Sequence, residues 1–273
     1  MMAALSAALA LCACHTETSS NKTGNGKGIS VSVSDEGLRT VLTSDDKAKW
    51  GTDEAMGLFY STALSGTTTK HNVNAKYSYS ATSLSSTATF TGDAVWAANP
   101  SNTVHKIYVY YPYSDGNASQ SKVAGTLPQT QRYAVGSDWD ISDYDFMYGR
   151  NDNAAYGEKV AISLKHLFAV LRLNITNSTP SALTIRSVTI RSLGGRILAG
   201  DFYVNTSKNN SATALANTMT VPDAAVHGSN TAFGYFATAS STVTVNVSGG
   251  SVASGAAIDV RAMINAGSSF DSS

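Results

Sequence analysis

A chain of 273 residues with 19 Lys and Arg against 19 Asp and Glu carries no formal net charge, which removes the usual electrostatic case for nucleic acid or an anionic membrane surface as a partner. The length allows two domains of ordinary size, each able to bury a core. Only 14% of the residues are charged and 13 are tyrosine; with Ser, Thr, Ala, Gly and Asn filling the gaps and few Leu-rich stretches, that composition points to an all-β protein.

Residues 3–11 are apolar but too few to span a bilayer, and they run into Leu11-Cys12-Ala13-Cys14. Small residues ahead of a cysteine, after an apolar stretch, resemble a bacterial lipoprotein signal with Cys14 as the lipidated first residue. No Lys or Arg precedes the apolar run, a departure that points to a start further upstream. The other reading is an ordinary secretory signal that happens to contain a cysteine. Residues 1–14 are thus expected to be a signal peptide, and residues 15–28, polar and rich in Gly, Asn and Ser, a flexible tether. Export and anchoring in the outer membrane through lipid on Cys14 follow from that reading. Cys12 and Cys14 are the only cysteines. The remainder has neither a disulfide nor a thiol nucleophile, and sheet packing must supply its stability.

Residues 29–34 (ISVSVS) alternate without a flaw, so Ile29, Val31 and Val33 share one face of a strand. Asp35-Glu36-Gly37 breaks the pattern and residues 38–42 resume it. Trp50 then precedes a polar turn and a buried strand ending in Leu58-Phe59-Tyr60. Further strands are expected at 74–81, 87–91, 106–111 and 144–148, the third stopped by Pro112. Residues 159–177 form the longest apolar run after the leader, and a buried helix and a strand compete for it. Val160, Ile162 and Leu164 alternate, as do Leu171, Leu173 and Ile175, and the β-branched content argues against a helix. Two nearly continuous strands are expected, joined near Leu167-Phe168, with residues 29–168 forming one β-sandwich and 169–273 a second. Strands at 183–191, 197–204, 218–221, 231–239, 242–247 and 258–264 complete the second half. Short strands separated by Gly, Asn and Ser indicate sandwiches rather than βαβ units.

Several stretches together resemble one family. Trp50-Gly51-Thr52-Asp53-Glu54-Ala55-Met56-Gly57-Leu58-Phe59 is similar to the Trp, Gly-Asp, Ile-Gly-Val-Phe block of the fimbrillin-type proteins of Bacteroidetes. Tyr110-Tyr111-Pro112-Tyr113, Leu127-Pro128-Gln129-Thr130-Gln131, Tyr144-Asp145-Phe146-Met147-Tyr148, Lys165-His166-Leu167-Phe168-Ala169 and Leu198-Ala199-Gly200 follow in the family's order. The departures are Gly-Thr-Asp in place of Gly-Asp and a chain that stops soon after Ile264, where family members usually continue. The second sandwich is therefore expected to be incomplete at its end. The resemblance implies two tandem transthyretin-like (Greek-key) β-sandwiches in a pilus subunit or pilus-associated adhesin delivered as a lipoprotein. It also implies that an Arg-specific protease removes the first strand, with Arg39-Thr40 as the matching position. The strand displaced would carry Ile29, Val31 and Val33, and other pilus subunits would be the partners, by β-strand addition. The alternative is a monomeric surface lipoprotein of the same fold that binds a glycan or a host or bacterial surface protein.

The remaining candidates are weaker. Asp138, Asp140, Asp143 and Asp145 cluster, but the twelve-residue calcium loop with its Gly and terminal Glu is missing. His166 stands in the apolar run without a second histidine at ligand spacing, and is expected to be a hydrogen-bonded structural residue. Tyr108, Tyr110, Tyr111 and Tyr113 could offer a sugar-stacking platform, although alternation should bury half of them. No hydrolase, phosphate-loop, dinucleotide or metalloprotease motif is present; neither a cofactor nor an enzymatic activity is expected.

Overall fold

The computed structural model of the chain describes residues 27–35, 40–43, 48–64, 67–97, 103–207 and 234–265. Every regular element among them is a β-strand. Seven strands make the first body: β1 (Gly28–Asp35), β4 (Asp53–Leu64), β5 (Thr67–Ser80), β6 (Ala88–Val95), β7 (Thr103–Tyr111), β11 (Met147–Ala154) and β12 (Val160–His166). Their hydrogen bonds run β1-β12-β11-β7-β4-β5-β6 and return to β1, closing the sheet into a barrel. Without β1 the same strands would form an open, curved sheet; with it, the facing walls become continuous.

The alternation of β1 sends Ile29, Val31 and Val33 into the barrel, where they are 2%, 0% and 4% exposed. The rest of that core comes from Met56, Leu58, Tyr60, Tyr77, Phe90, Ile107 and others on the surrounding strands. Trp50 caps one side, edge-on to Phe90 at 5.3 Å and to Tyr111 at 5.9 Å.

The second body draws on β8 (Val123–Leu127), β9 (Thr130–Ala134), β13 (Ala169–Thr176), β14 (Leu183–Thr184), β15 (Ser187–Arg191), β16 (Gly200–Val204), β17 (Gly234–Phe236), β18 (Thr242–Ser248), β19 (Ser251–Val252) and β20 (Ala257–Ile264). β13 lies antiparallel to β20 over all of Ala169 to Thr176. β15-β18-β9 and β17-β16-β8 form three-stranded sheets. Both β8 and β9 precede residue 168 yet pair with strands that follow it. Phe202 centres this core, edge-on to Phe146 and to Phe168 at 5.0 Å each.

The outer wall of the barrel belongs to this second core too. Phe59, Tyr108, Tyr110 and Tyr148 point away from the barrel interior and pack with Phe146, Phe202 and Leu167. Gly57 makes room for one of them: a Cβ there would collide with the Tyr110 ring. The chain passes from β12 to β13 through Leu167 and Phe168, both buried, with the Leu167 N–H donating to Phe146 O at 2.9 Å. That is the junction expected from the apolar run.

Several boundaries differ from the sequence reading. In the stretch 144–148 the strand starts only at Met147, because Tyr144 and Asp145 both turn back to Ile141 O at 2.9 and 2.8 Å. The stretch 183–191 divides, its first piece pairing with β19 and its second with β18. Of 38–42 only β2 (Val41–Leu42) is a strand within the described residues, and the expected strand at 218–221 lies outside them.

Candidate functional site: the closing strand and the bond behind it

β1 is held on both edges. It runs parallel to β12, with Val31 opposite Val160 and Val33 opposite Ile162. On the other side it runs antiparallel to β6, with Val31 opposite Phe90 and Val33 opposite Ala88. The Tyr77 hydroxyl reaches across the barrel to donate to Ile29 O at 3.0 Å, and burial pushes its ionisation well above the usual tyrosine range. An inner strand whose apolar residues line a closed barrel cannot leave without exposing a groove and two unpaired backbone edges.

Arg39 and Cys14 lie outside the described residues. Thr40 is inside them and has no exposed surface. Its hydroxyl donates to Glu54 Oε1, and the Gly51 N–H donates to both Thr40 Oγ1 at 2.8 Å and Glu54 Oε1 at 2.9 Å. The other carboxylate oxygen accepts from the Tyr111 hydroxyl at 2.6 Å. Burial first, and then the Glu54 charge beside it, raise the Tyr111 ionisation far beyond its ordinary value. A Cβ at Gly51 would press on the Glu54 carboxylate and force that side chain to shift.

The segment following Thr40 is clamped as well. Ile141 N–H donates to Thr40 O at 2.8 Å. β2 sits between β10 (Trp139–Asp140) and β3 (Ala48–Lys49), Leu42 is buried, and the Arg261 guanidinium on β20 donates to Thr43 O at 3.1 Å. The Arg39–Thr40 bond thus separates a strand that closes the barrel from a segment fastened to both bodies. Sequence reasoning placed Thr40 at the bond but missed Glu54. The available signal was a pair of carboxylates, Asp53 and Glu54, opening a strand whose middle is apolar.

The other candidates settle differently. Tyr108, Tyr110 and Tyr111 are buried and only Tyr113 is partly open, so these rings form no exposed platform. β7 is an inner strand covered on both faces, which is why alternation exposes neither set. Asp140 accepts from Ser142 N–H at 2.9 Å in a tight turn. Asp145 is buried against His166, with His166 Nδ1 hydrogen-bonded to Asp145 Oδ1 at 2.9 Å, so His166 is hydrogen-bonded as expected. Among the described residues no three His, Cys, Asp or Glu side chains gather as a metal site. A cleft of about 470 Å³ is lined in part by Tyr113, Asp143, Tyr144, Asp201 and Tyr203. Its Asp201 accepts from the Thr126 and Thr238 hydroxyls at 2.7 and 3.1 Å.

A family model described as fimbrillin-like matches residues 39–268. The chain belongs to the fimbrillin-like family. This fimbrillin-like chain shares its fold with a candidate cell adhesion protein from Bacteroides ovatus, at 13% identity and a TM-score of 0.51 over 88% of this chain and 78% of that one. A second candidate cell adhesion protein, from Bacteroides uniformis, aligns at 16% identity and a TM-score of 0.47, covering 87% of this chain and 74% of that one. No curated protein matches the sequence.

Proposed function

We propose that this fimbrillin-like chain is a structural pilus subunit or minor pilus component that supports adhesion. In this reading it is delivered to the outer membrane as a lipoprotein through Cys14 and cut between Arg39 and Thr40. It is then assembled by exchange of β1 for a strand of a neighbouring subunit. The observation that carries the reading is the place of β1 as the strand that closes the barrel. Burying Ile29, Val31 and Val33 is worth about 1.5–3 kcal/mol each, together about 5–9 kcal/mol, which is comparable with the net stability of a whole domain. A subunit stripped of β1 therefore has strong cause to accept another strand of the same alternation. Backbone bonds to β12 and β6 would provide affinity, and the pockets vacated by the three side chains would fix register. The family match beginning at residue 39, just past β1, supports the same division, and the adhesion role attached to the Bacteroides ovatus relative accords with it.

Because Thr40 is buried, cutting on its amino side proceeds through local opening of the 40–43 segment. Digestion of the full-length chain with an Arg-specific protease should yield a product whose first residue is Thr40 and which multimerises. A product that stays monomeric, or no cut at that bond, contradicts the proposal.

A further inference from the structure

We infer that Glu54 is the counter-ion for the amino terminus that processing creates at Thr40, which fixes the mature end of the chain in place while β1 departs. The inference rests on the processing reading above. Hydrolysis of the Arg39–Thr40 amide consumes one water: its oxygen stays with Arg39 as a carboxylate that leaves with the upstream piece. Both of its protons go to the Thr40 nitrogen, and the N–H becomes an ammonium group.

That ammonium is born beside a prepared carboxylate. Thr40 Oγ1 already donates to Glu54 Oε1, and three covalent bonds keep the α-nitrogen within about 4 Å of that hydroxyl. Glu54 is 8% exposed. Its partners among the described residues, the Thr40 hydroxyl, the Gly51 N–H and the Tyr111 hydroxyl, are all uncharged. A carboxylate offers about four acceptor positions, and the described residues fill three of them, two on Oε1 and one on Oε2. A buried carboxylate gains when a cation joins the neutral groups that hold it. In the uncut chain the nitrogen next to it belongs to a neutral amide; the cut converts that nitrogen into a cation. Gly51, where a Cβ would press on the Glu54 carboxylate, leaves that space open. The bonds from Ile141 and Arg261 to Thr40 O and Thr43 O hold the new end where it forms.

The test uses the full chain with Glu36→Ile, Gly37→Glu and Leu38→Gly, so that Arg39 ends an Ile-Glu-Gly-Arg sequence. A protease specific for that tetrapeptide then cuts it, with urea raised only as far as cleavage requires and afterwards removed. Acetylation of the Thr40 α-amine is followed against pH by mass spectrometry, with the same cut chain in denaturant as reference. The expected result is labelling at least tenfold slower than the reference at pH 7. The midpoint should move upward by a unit or more from the ordinary range of about 7.7–8.0. Glu54→Gln should abolish the upward shift. Burial alone would move the midpoint down, so the direction separates a counter-ion from mere shielding. A midpoint at or below the reference, or one unchanged by Glu54→Gln, overturns the inference. If Glu54→Gln does not fold, the comparison of folded and denatured chains still decides. Failure of an Arg-specific protease to cut the unaltered chain would sink the processing reading, whereas the midpoint of the Thr40 amine would still decide for or against the Glu54 pairing.

Discussion

The substitution Val31→Asp places a carboxyl group at the middle of β1, where the side chain is fully buried between Val160 on β12 and Phe90 on β6. Losing the valine forfeits about 1.5–3 kcal/mol of transfer energy. A polar group without a partner adds about 1–3 kcal/mol by mutational experience, the acid entering in its neutral form. The sum, about 3–6 kcal/mol, is a large share of the roughly 5–15 kcal/mol typical of a folded domain. Urea unfolding should show the midpoint falling accordingly with the slope preserved. Ser32→Asp is the control. It sits on the opposite face of the same strand and is half-buried, with one bond to Val160 O at 3.3 Å, so its cost should stay below about 1 kcal/mol. Equal effects of the two substitutions, or a Val31→Asp cost under about 1 kcal/mol, would show that β1 does not seal the barrel and would refute the reasoning.

Leu42→Ala should speed cleavage at Arg39–Thr40 several-fold, measured by amino-terminal sequencing over time, because that buried side chain helps anchor the segment that must open. Phe202→Ala, which removes the ring at the centre of the second core, should cost about 3–5 kcal/mol in denaturant unfolding. Spectrophotometric titration should find Tyr77 and Tyr111 silent while the chain is folded. Their ionisation is raised by burial, so the stability they lend is complete below the ordinary tyrosine value near 10 and drains away as pH rises past it. At the other extreme, Arg172 holds the Asp259 carboxyl below its usual range. Its contribution is present above the ordinary value and lost as pH falls through the lowered one. Since Arg172 is exposed and Asp259 only half-buried, Asp259→Asn should cost at most about 1 kcal/mol at pH 7 in unfolding experiments, and nothing in strong acid.

Much of this was readable from local pattern. β1 needed only its period of two, and the run 159–177 gave up both strands and their junction at Leu167-Phe168, since a strand that fills a core on one face advertises it. What failed to show was anything set by two-sided burial or by distant pairing. The tyrosines of β7 alternate in the sequence, yet the barrel takes one set and the second core takes the other, so both disappear from the surface. β8 and β9 are short and pair with strands that follow residue 168, a partnership that no local period encodes. The Thr40–Glu54 contact joins residues on either side of β3 and uses the room left by Gly51, which emerges only from the packing.

The most direct test of β1 as the removable seal is a disulfide that forbids its departure. Ser32 and Thr89 face each other across β1 and β6, away from the barrel core, and cysteines at both positions in a chain lacking Cys12 and Cys14 would staple the two strands. Oxidised, the chain cut at Arg39–Thr40 should keep its β1 fragment and remain monomeric by light scattering; reduced, it should lose the fragment and multimerise. Multimerisation of the oxidised, cut chain to the same extent would contradict the account.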